Sequence, residues 1–217
     1  MKKTGKADWQ QPGKAHIFHI EQEHPRESVP EQICRIIDET LNEMEETKSV
    51  NIAIDGLCGG GKSTLGQAIA ERYNCNLFHM DDFFLRPEQR TPERYAQAGG
   101  NVDYERFRSE VLENLTKRSG FVYRPFDCRI MELGKPCTVP YRRLNIIEGS
   151  YSCHPYFGDV YQVRFFVELS AEEQRTRILE RNGEEKYQRF VNEWIPMENR
   201  YFDTFGIRDK CIRISLL

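Results

Sequence analysis

One short segment constrains this chain more than any other. Residues 56–64 read Gly-Leu-Cys-Gly-Gly-Gly-Lys-Ser-Thr and fit the pattern G-x-x-x-x-G-K-[ST]. The apolar residues 50–55 before it predict a buried strand, and residues 64–73 after it have apolar side chains at helical spacing. In this context glycines let backbone N–H groups turn towards an anion, and the helix N-terminus adds partial positive charge. The flanks disfavour the alternative, a glycine-rich turn without a ligand, and the segment predicts a nucleoside triphosphate site.

The loop also indicates which of its residues bind the phosphates and which binds the metal ion. Lys62 is placed to reach the β- and γ-phosphates of a nucleoside triphosphate, and the Ser63 hydroxyl is placed to bind Mg²⁺. We therefore expect a nucleoside triphosphate and Mg²⁺ as ligands. The residues predicted to bind the triphosphate are Gly56, Gly59, Gly60, Gly61, Lys62, Ser63 and Thr64.

Composition excludes several other classes of protein. The 217-residue chain is 39% hydrophobic and 30% charged, as expected for one globular domain with its own core. The net charge of -3 gives no sign of a general nucleic-acid or anionic-membrane surface. The 7 cysteines contain no C-x-x-C pair, which favours neither a zinc site nor a disulfide framework. With no signal-like or membrane-length apolar segment, we expect a cytoplasmic protein with a small-molecule substrate and no nucleic-acid or membrane partner.

Predicted strands and helices alternate along the chain. Further strands are predicted at 75–80, 144–148, 163–169 and 211–214, and helices at 29–47, 104–117, 171–181 and 184–204. This alternation predicts an α/β fold, a three-layer α/β/α sandwich with a central parallel sheet. We expect residues 1–28 to be an N-terminal extension and residues 29–217 to form one domain, with a nucleotide core at 50–169.

Three carboxylates follow predicted strands at the edge where such sheets bind ligands. Asp81 and Asp82 come after the second strand, and Glu148 ends a later one. On extended backbone the two aspartates would point to opposite faces, so that one faces the phosphates, where it could take the proton of an acceptor hydroxyl. Glu148 could hold Mg²⁺ together with Ser63. A turn or helix-cap role for the aspartates is the alternative, although Phe83 and its neighbour favour the wall of a binding pocket.

The loop 56–64, the block Asp81-Asp82-Phe83-Phe84 and the strand ending in Ile147-Glu148-Gly149 resemble the uridine kinase family of P-loop small-molecule kinases. That group includes uridine, nicotinamide riboside and bacterial pantothenate kinases and phosphoribulokinases. The resemblance covers about residues 50–182 and implies that Asp81 is the catalytic base, with Lys62 as the second catalytic residue. It also implies that the nucleoside triphosphate is ATP. The aspartate block is most similar to the nicotinamide riboside kinase version.

The resemblance also implies a substrate-binding hairpin and a small helical lid at about residues 170–190. The substrate residues would be Asp82, Phe83, Tyr123, Arg124 and Asp127, and the lid residues that bind ATP would be Arg177 and Arg181. Ordinary hairpin packing is an equal alternative for each hairpin residue, and a solvated helix face is an equal alternative for the arginines. The Arg-Gly-Arg ending of uridine kinase lids is missing, since Asn182-Gly183 stands in its place.

We therefore expect an ATP-dependent phosphotransferase that moves the γ-phosphoryl group to a hydroxyl of a small molecule, with uridine or a related nucleoside as the first acceptor. A nicotinamide riboside- or pantothenate-like metabolite is the alternative acceptor. A nucleotide-binding regulator is disfavoured because Lys62, Ser63 and Asp81 are all intact, and a GTPase switch is disfavoured because N-K-x-D is absent. Self-association is left open, although the resembled kinases are often dimers or tetramers.

Overall fold

The computed structural model of this chain describes residues 28–216. Almost all of the predicted N-terminal extension therefore lies outside the described residues. Within them, no helix has both the length and the apolar character that crossing a membrane requires.

A parallel sheet forms the centre of the domain, with strand order β2-β7-β1-β8-β9. Each neighbouring pair in this sheet is parallel, as the sequence predicts. The strands in chain order are β1 (Val50–Gly56), β2 (Cys75–His79), β3 (Phe121–Tyr123), β4 (Phe126–Asp127), β5 (Glu132–Leu133), β6 (Cys137–Val139), β7 (Leu144–Glu148), β8 (Val163–Glu168) and β9 (Ile212–Ser215). The four short strands form two small antiparallel sheets, β3 with β6 and β4 with β5, and we call residues 121–139 the hairpin.

Helices cover both faces of the sheet. They are α1 (Val29–Glu43), α2 (Lys62–Arg72), α3 (Pro92–Tyr95), α4 (Tyr104–Phe107 continued through Arg108–Leu112 and Glu113–Leu115), α5 (Ala171–Arg189) and α6 (Ile195–Phe205). The middle of α4 and the link between α5 and α6 have π-helical geometry. Helices α1 and α4 end a few residues earlier than the predictions of 47 and 117.

The core has two layers because side chains alternate along the central strands. Ile52 and Ile54 of β1 pack against α1 and α2, whereas Ala53 faces the opposite layer, which contains α4. Phe166 of β8 packs under α6 with Phe202. The three-layer α/β/α architecture predicted from the sequence is confirmed.

Helix α5 contains a break that the sequence analysis places correctly. Gly183 has φ 76° and ψ 169°, a conformation that glycine adopts readily and other residues rarely do. The predicted helices at 171–181 and 184–204 are therefore distinct segments joined at this residue.

A ladder of three asparagine amides crosses the amino-terminal half of the sheet. Asn145 of β7 is the register partner of both Asn51 and Asn76. Its amide donates to Asn51 at 3.0 Å and accepts from Asn76 at 2.9 Å. The ladder ends on the carbonyls of Val160 and Pro140. Because buried amides are stable only when they are paired, this ladder favours one register of the three strands.

Replacing the central amide should destabilise the domain. Asn145→Leu has a similar volume but leaves the amides of Asn51 and Asn76 without their shared partner, and we expect a loss of about 2–4 kcal/mol in the free energy of unfolding. Urea denaturation measures it. Asn74→Leu, at an exposed position, is the control and should change little. Equal stability of the two variants would show that the ladder does not fix the register.

Candidate active site

The phosphate loop joins the carboxyl end of β1 to the start of α2. Gly56, Gly59 and Gly61 have φ values of 133°, 79° and 88°, which side-chain-bearing residues rarely adopt. A Cβ at Gly56 would lie 2.3 Å from the Val167 carbonyl oxygen, so no other residue fits there. Ser63 and Thr64 are exposed in the first turn of α2, where backbone N–H groups have no acceptor within the helix. The loop thus has the open N–H groups that an anion requires.

Lys62 lies across the loop rather than in solvent. Its Nζ donates to the carbonyls of Gly56 at 2.8 Å and Leu57 at 2.9 Å. An ammonium group has three donors, so one remains for a phosphate oxygen. The side chain is therefore held in the loop before any ligand binds.

Asp55, the residue before the loop, fastens three segments together. Its Oδ1 accepts the N–H groups of Gly56 at 2.7 Å and Tyr151 at 3.1 Å. Its Oδ2 accepts the N–H of Cys153 at 3.0 Å and the hydroxyl of Tyr201 at 2.9 Å. Burial raises the pKa of this carboxyl to about 6, although the hydrogen bonds from Cys153, Gly56 and Tyr201 and the charge of Lys62 act in the opposite direction. Sequence reasoning missed this role, and the only signal was an acid at the end of an apolar strand.

Asp81 lies at the same edge of the sheet as the phosphate loop, and we call the exposed region between Asp81 and the loop the cleft. Asp81 belongs to a tight 3-10 turn, Met80–Phe83, and not to extended backbone, because β2 already ends at His79. The expectation of oppositely pointing aspartates on a strand is therefore wrong. The side chain is exposed, and no protein donor within residues 28–216 bonds to it. Partial removal from water raises the pKa of the Asp81 carboxyl, and the negative charge of Glu148 raises it further. The positive charge of Lys62 acts in the opposite direction.

Asp82 and Tyr123, both predicted to bind substrate, are in contact. The Tyr123 hydroxyl donates to Oδ2 of Asp82 at 2.8 Å, which joins the hairpin to the turn after β2. Phe83 is fully buried and packs against Tyr123 and Phe107. The prediction that Phe83 lines the pocket is wrong for this conformation, since the ring supports the turn from behind.

The other two hairpin candidates bond within the hairpin. Arg124 donates to the carbonyls of Gly134 and Leu133, both at 2.8 Å. Asp127 accepts from Arg129, which lowers the pKa of Asp127 to about 2. Burial raises the pKa of the Cys128 thiol in the hairpin turn, and the charge of Asp81 raises it further. This effect indicates that the hairpin turn lies near Asp81.

Glu148 ends β7 beside the loop, with His79 as its partner. His79 Nδ1 lies 2.5 Å from Oε1 of this buried carboxylate, and the hydrogen bond raises the pKa of His79. The second oxygen of Glu148 accepts no hydrogen bond within the described residues. These residues contain no cluster of three or more His, Cys, Asp and Glu side chains suited to a metal. Ser63 and Glu148 still fit Mg²⁺, because this ion keeps several waters and needs few protein oxygens.

The two lid arginines lie on α5 with different partners. Arg177 donates to the Leu216 carbonyl at 2.9 Å, beside Gly61, whose Cβ would lie 3.6 Å from Leu216. Arg181 is exposed and bonds Asn182. Burial raises the pKa of the Cys58 thiol, and the charge of Arg181 opposes this rise slightly, which places Arg181 near the loop.

Two buried side chains from the lid side bind the loop itself, and sequence reasoning missed both. Glu198 of α6 accepts the N–H of Cys58 at 3.0 Å, and Gln174 of α5 donates to the Cys58 carbonyl at 3.0 Å. Ser150, after β7, donates to Glu198 at 2.7 Å. Neither side chain belongs to a local motif, so no signal in the sequence points to them.

A cavity of about 430 Å³ lies beside the loop but does not include the lysine or the carboxylates described above. Its lining residues are Leu57, Glu168, Leu169, Ser170, Arg208 and Ser215. It therefore adjoins the candidate site without containing its reactive groups.

Comparison with known proteins agrees with this geometry. The shikimate kinase family model matches residues 58–124, which include most of the phosphate loop and both aspartates. No curated protein matches the chain.

Two solved structures share the fold. A possible uridine kinase from Bacillus stearothermophilus has a TM-score of 0.64 at 16% identity, with 83% of this chain and 96% of that chain covered. A candidate fructose transport system kinase from Silicibacter sp. TM1040 has a TM-score of 0.68 at 18% identity, with 88% and 100% covered. The predicted α/β fold with a central parallel sheet is confirmed by this likeness.

The Asp55 cluster predicts a specific dependence of stability on pH. Because the folded-state pKa of Asp55 is raised, its contribution to stability is full below the unfolded value of about 4 and is lost as pH rises through about 6. Tyr201→Phe removes a hydrogen bond to the ionised form. We expect it to cost about 1–3 kcal/mol in the free energy of unfolding near pH 8, and less near pH 5.

Denaturant unfolding at both pH values measures this difference. Tyr156→Phe is the matched control, because Tyr156 is exposed and its hydroxyl has no recorded partner within residues 28–216. An equal loss for Tyr201→Phe at both pH values would show that the hydroxyl does not stabilise an ionised Asp55.

Proposed function

We propose that this protein is an ATP-dependent phosphotransferase that moves the γ-phosphoryl group of ATP to a hydroxyl of a small molecule. The observation that carries the proposal is the Asp81 carboxylate, which is accessible, is unpartnered within the described residues and lies at the same edge of the sheet as Lys62. A base and a phosphate-binding lysine in one cleft are what phosphoryl transfer to an alcohol requires.

Each residue of the cleft has a defined part in this reaction. Asp81 accepts the proton of the acceptor hydroxyl, whose oxygen forms a bond to the γ-phosphorus as the bond to the β–γ bridging oxygen breaks and ADP leaves. Lys62 and the arginines of α5, Arg177 and Arg181, offset the charge on the transferred group. The raised pKa of Asp81 makes it a stronger base than an ordinary aspartate.

Magnesium belongs to the same proposal. The exposed Ser63 hydroxyl and the free oxygen of Glu148 would hold it, directly or through water. When bound, Mg²⁺ neutralises phosphate charge. His79 keeps the Glu148 side chain oriented by bonding its other oxygen.

The acceptor is proposed to be a nucleoside such as uridine. The shared fold with a possible uridine kinase and the contact between Asp82 and Tyr123 support it, because this pair can present a carboxylate to ribose hydroxyls. The shikimate kinase model supports a second candidate, a cyclic polyol. We place the reaction in a reducing, cytoplasmic setting, in keeping with seven free cysteines.

Neutralising the proposed base should separate binding from transfer. Asp81→Asn removes the proton acceptor, so we expect turnover to fall by about 10²–10⁴-fold while the Kd for ATP changes little. Asp159→Asn, which alters a carboxylate that is 91% exposed at the opposite edge of the sheet, should behave like the unmodified protein. A fully active Asp81→Asn enzyme would exclude this role for Asp81.

A panel of acceptors tests the reaction itself. Coupled ATP turnover with Mg²⁺ is measured with uridine, other nucleosides, nicotinamide riboside, pantothenate, fructose and shikimate. We expect one nucleoside to raise turnover far above the acceptor-free rate. Tight ATP binding with no response to any hydroxylated acceptor would contradict the proposal and favour a nucleotide-binding regulator.

A further inference from the structure

A buried carboxylate touches the phosphate loop at a position that the proposed transfer does not use. Glu198 of α6 is 6% exposed, and its Oε2 accepts the Cys58 N–H. Its Oε1 accepts the Ser150 hydroxyl, which also lies 3.1 Å from the Gly56 carbonyl. Both carboxylate oxygens are therefore bonded to groups of the two loops that border the site.

Two buried side chains bond the backbone of Cys58, one at its N–H and one at its carbonyl. Gln174, 8% exposed, bonds its carbonyl while Glu198 bonds its N–H. Directly after it come Gly59 and Gly61, whose positive φ values turn the chain around the phosphate position. Fixing Cys58 therefore fixes the point at which this turn begins.

The choice of a carboxylate at this position needs a reason, because a negative charge beside a triphosphate is unfavourable. A hydrogen bond to an ionised acceptor is roughly twice as strong as one between neutral groups. The same charge also raises the pKa of Asp81. The benefit of the charge is a stronger hydrogen bond from the Cys58 N–H to the Glu198 carboxylate.

We propose that Glu198 is a positioning residue of the phosphate loop, which holds the Cys58 peptide so that the following N–H groups are arranged before ATP binds. The proposal rests on the proposed function, since it assumes that the loop binds ATP. A pre-arranged loop loses less conformational freedom on binding, so the contact should appear in ATP affinity.

Helix α6 also contacts a second segment, which contains Tyr95 and Gln97. Arg200, two residues further on, donates to the carbonyls of Tyr95 at 2.5 Å and Gln97 at 3.2 Å. These carbonyls belong to the segment that leads from the Asp81 turn to α4. One helix therefore contacts both the phosphate loop and the segment between the Asp81 turn and α4.

Two variants separate position from charge. Glu198→Gln keeps the length: its amide oxygen can accept from Cys58, and its NH₂ can donate to Ser150, whose own proton then turns to Gly56. Glu198→Asp keeps the charge but is one methylene too short to reach both donors. Glu193→Gln, which alters an exposed carboxylate paired with Arg189 before α6, is the matched control.

The measurements are the Kd of ATP with Mg²⁺ by calorimetry, and KM for ATP against kcat. We expect Glu198→Asp to weaken ATP binding by about tenfold. We expect Glu198→Gln to stay within about threefold of the unmodified protein, because its neutral hydrogen bond to Cys58 is weaker but the negative charge beside the triphosphate is also removed. KM for ATP should follow Kd, with a smaller change in kcat. Thermal unfolding confirms that each variant is folded, and Gln174→Ala, which releases the same peptide from α5, should also weaken ATP binding.

The outcomes distinguish this inference from the proposed function. Unchanged ATP affinity in Glu198→Asp or Gln174→Ala would overturn the positioning role and leave the proposed function in place. A loss in Glu198→Gln but not in Glu198→Asp would assign the effect to charge and overturn it as well. If the unmodified protein does not bind ATP, both proposals fail.

Discussion

The Asp55 carboxylate lies where the phosphate loop, the loop after β7 and helix α6 meet. Its four hydrogen bonds reach all three, through Gly56, Tyr151, Cys153 and Tyr201. A buried carboxylate is stable only when its oxygens accept enough hydrogen bonds. Asp55 therefore needs donors from all three segments, and displacing one segment would weaken the contacts of the other two. The start of the glycine loop and the position of α6 both depend on this one side chain.

Acidic groups crowd an edge of the sheet that is proposed to receive a triphosphate. Asp81, Glu148 and Glu198 lie close together there, and both glutamates raise the pKa of Asp81. Lys62 and His79 act in the opposite direction. Of the three acids, Asp81 alone has no hydrogen-bond partner within the described residues, because Glu148 is engaged with His79 and Glu198 with the loop. Repulsion from the two glutamates makes ionised Asp81 a stronger base and also lowers the fraction of it that is ionised at a given pH.

The sequence predicts the features of the site that are local and misses those that join distant segments. The glycine loop and its strand and helix lie within one stretch of chain, so spacing alone places Lys62 and Ser63. The inward turn of Phe83 could not be predicted, since adjacency to Asp82 does not tell which side of a turn faces the core. The partners of Asp55 and Cys58 lie as far as 146 and 140 residues away. Only the folded sheet brings such groups together.

The asparagine ladder also disfavours misaligned pairings of the sheet strands. Parallel strands are joined by long connections and form slowly, so shifted pairings compete with the correct one during folding. A shift of one residue would turn every side chain of a strand to the other face and set the amides of Asn51, Asn76 and Asn145 against carbon. Such a misaligned sheet carries a polar penalty in addition to its lost packing. The ladder therefore favours correct assembly, and the edge that carries the phosphate loop takes its alignment from amides at the far end of the same strands.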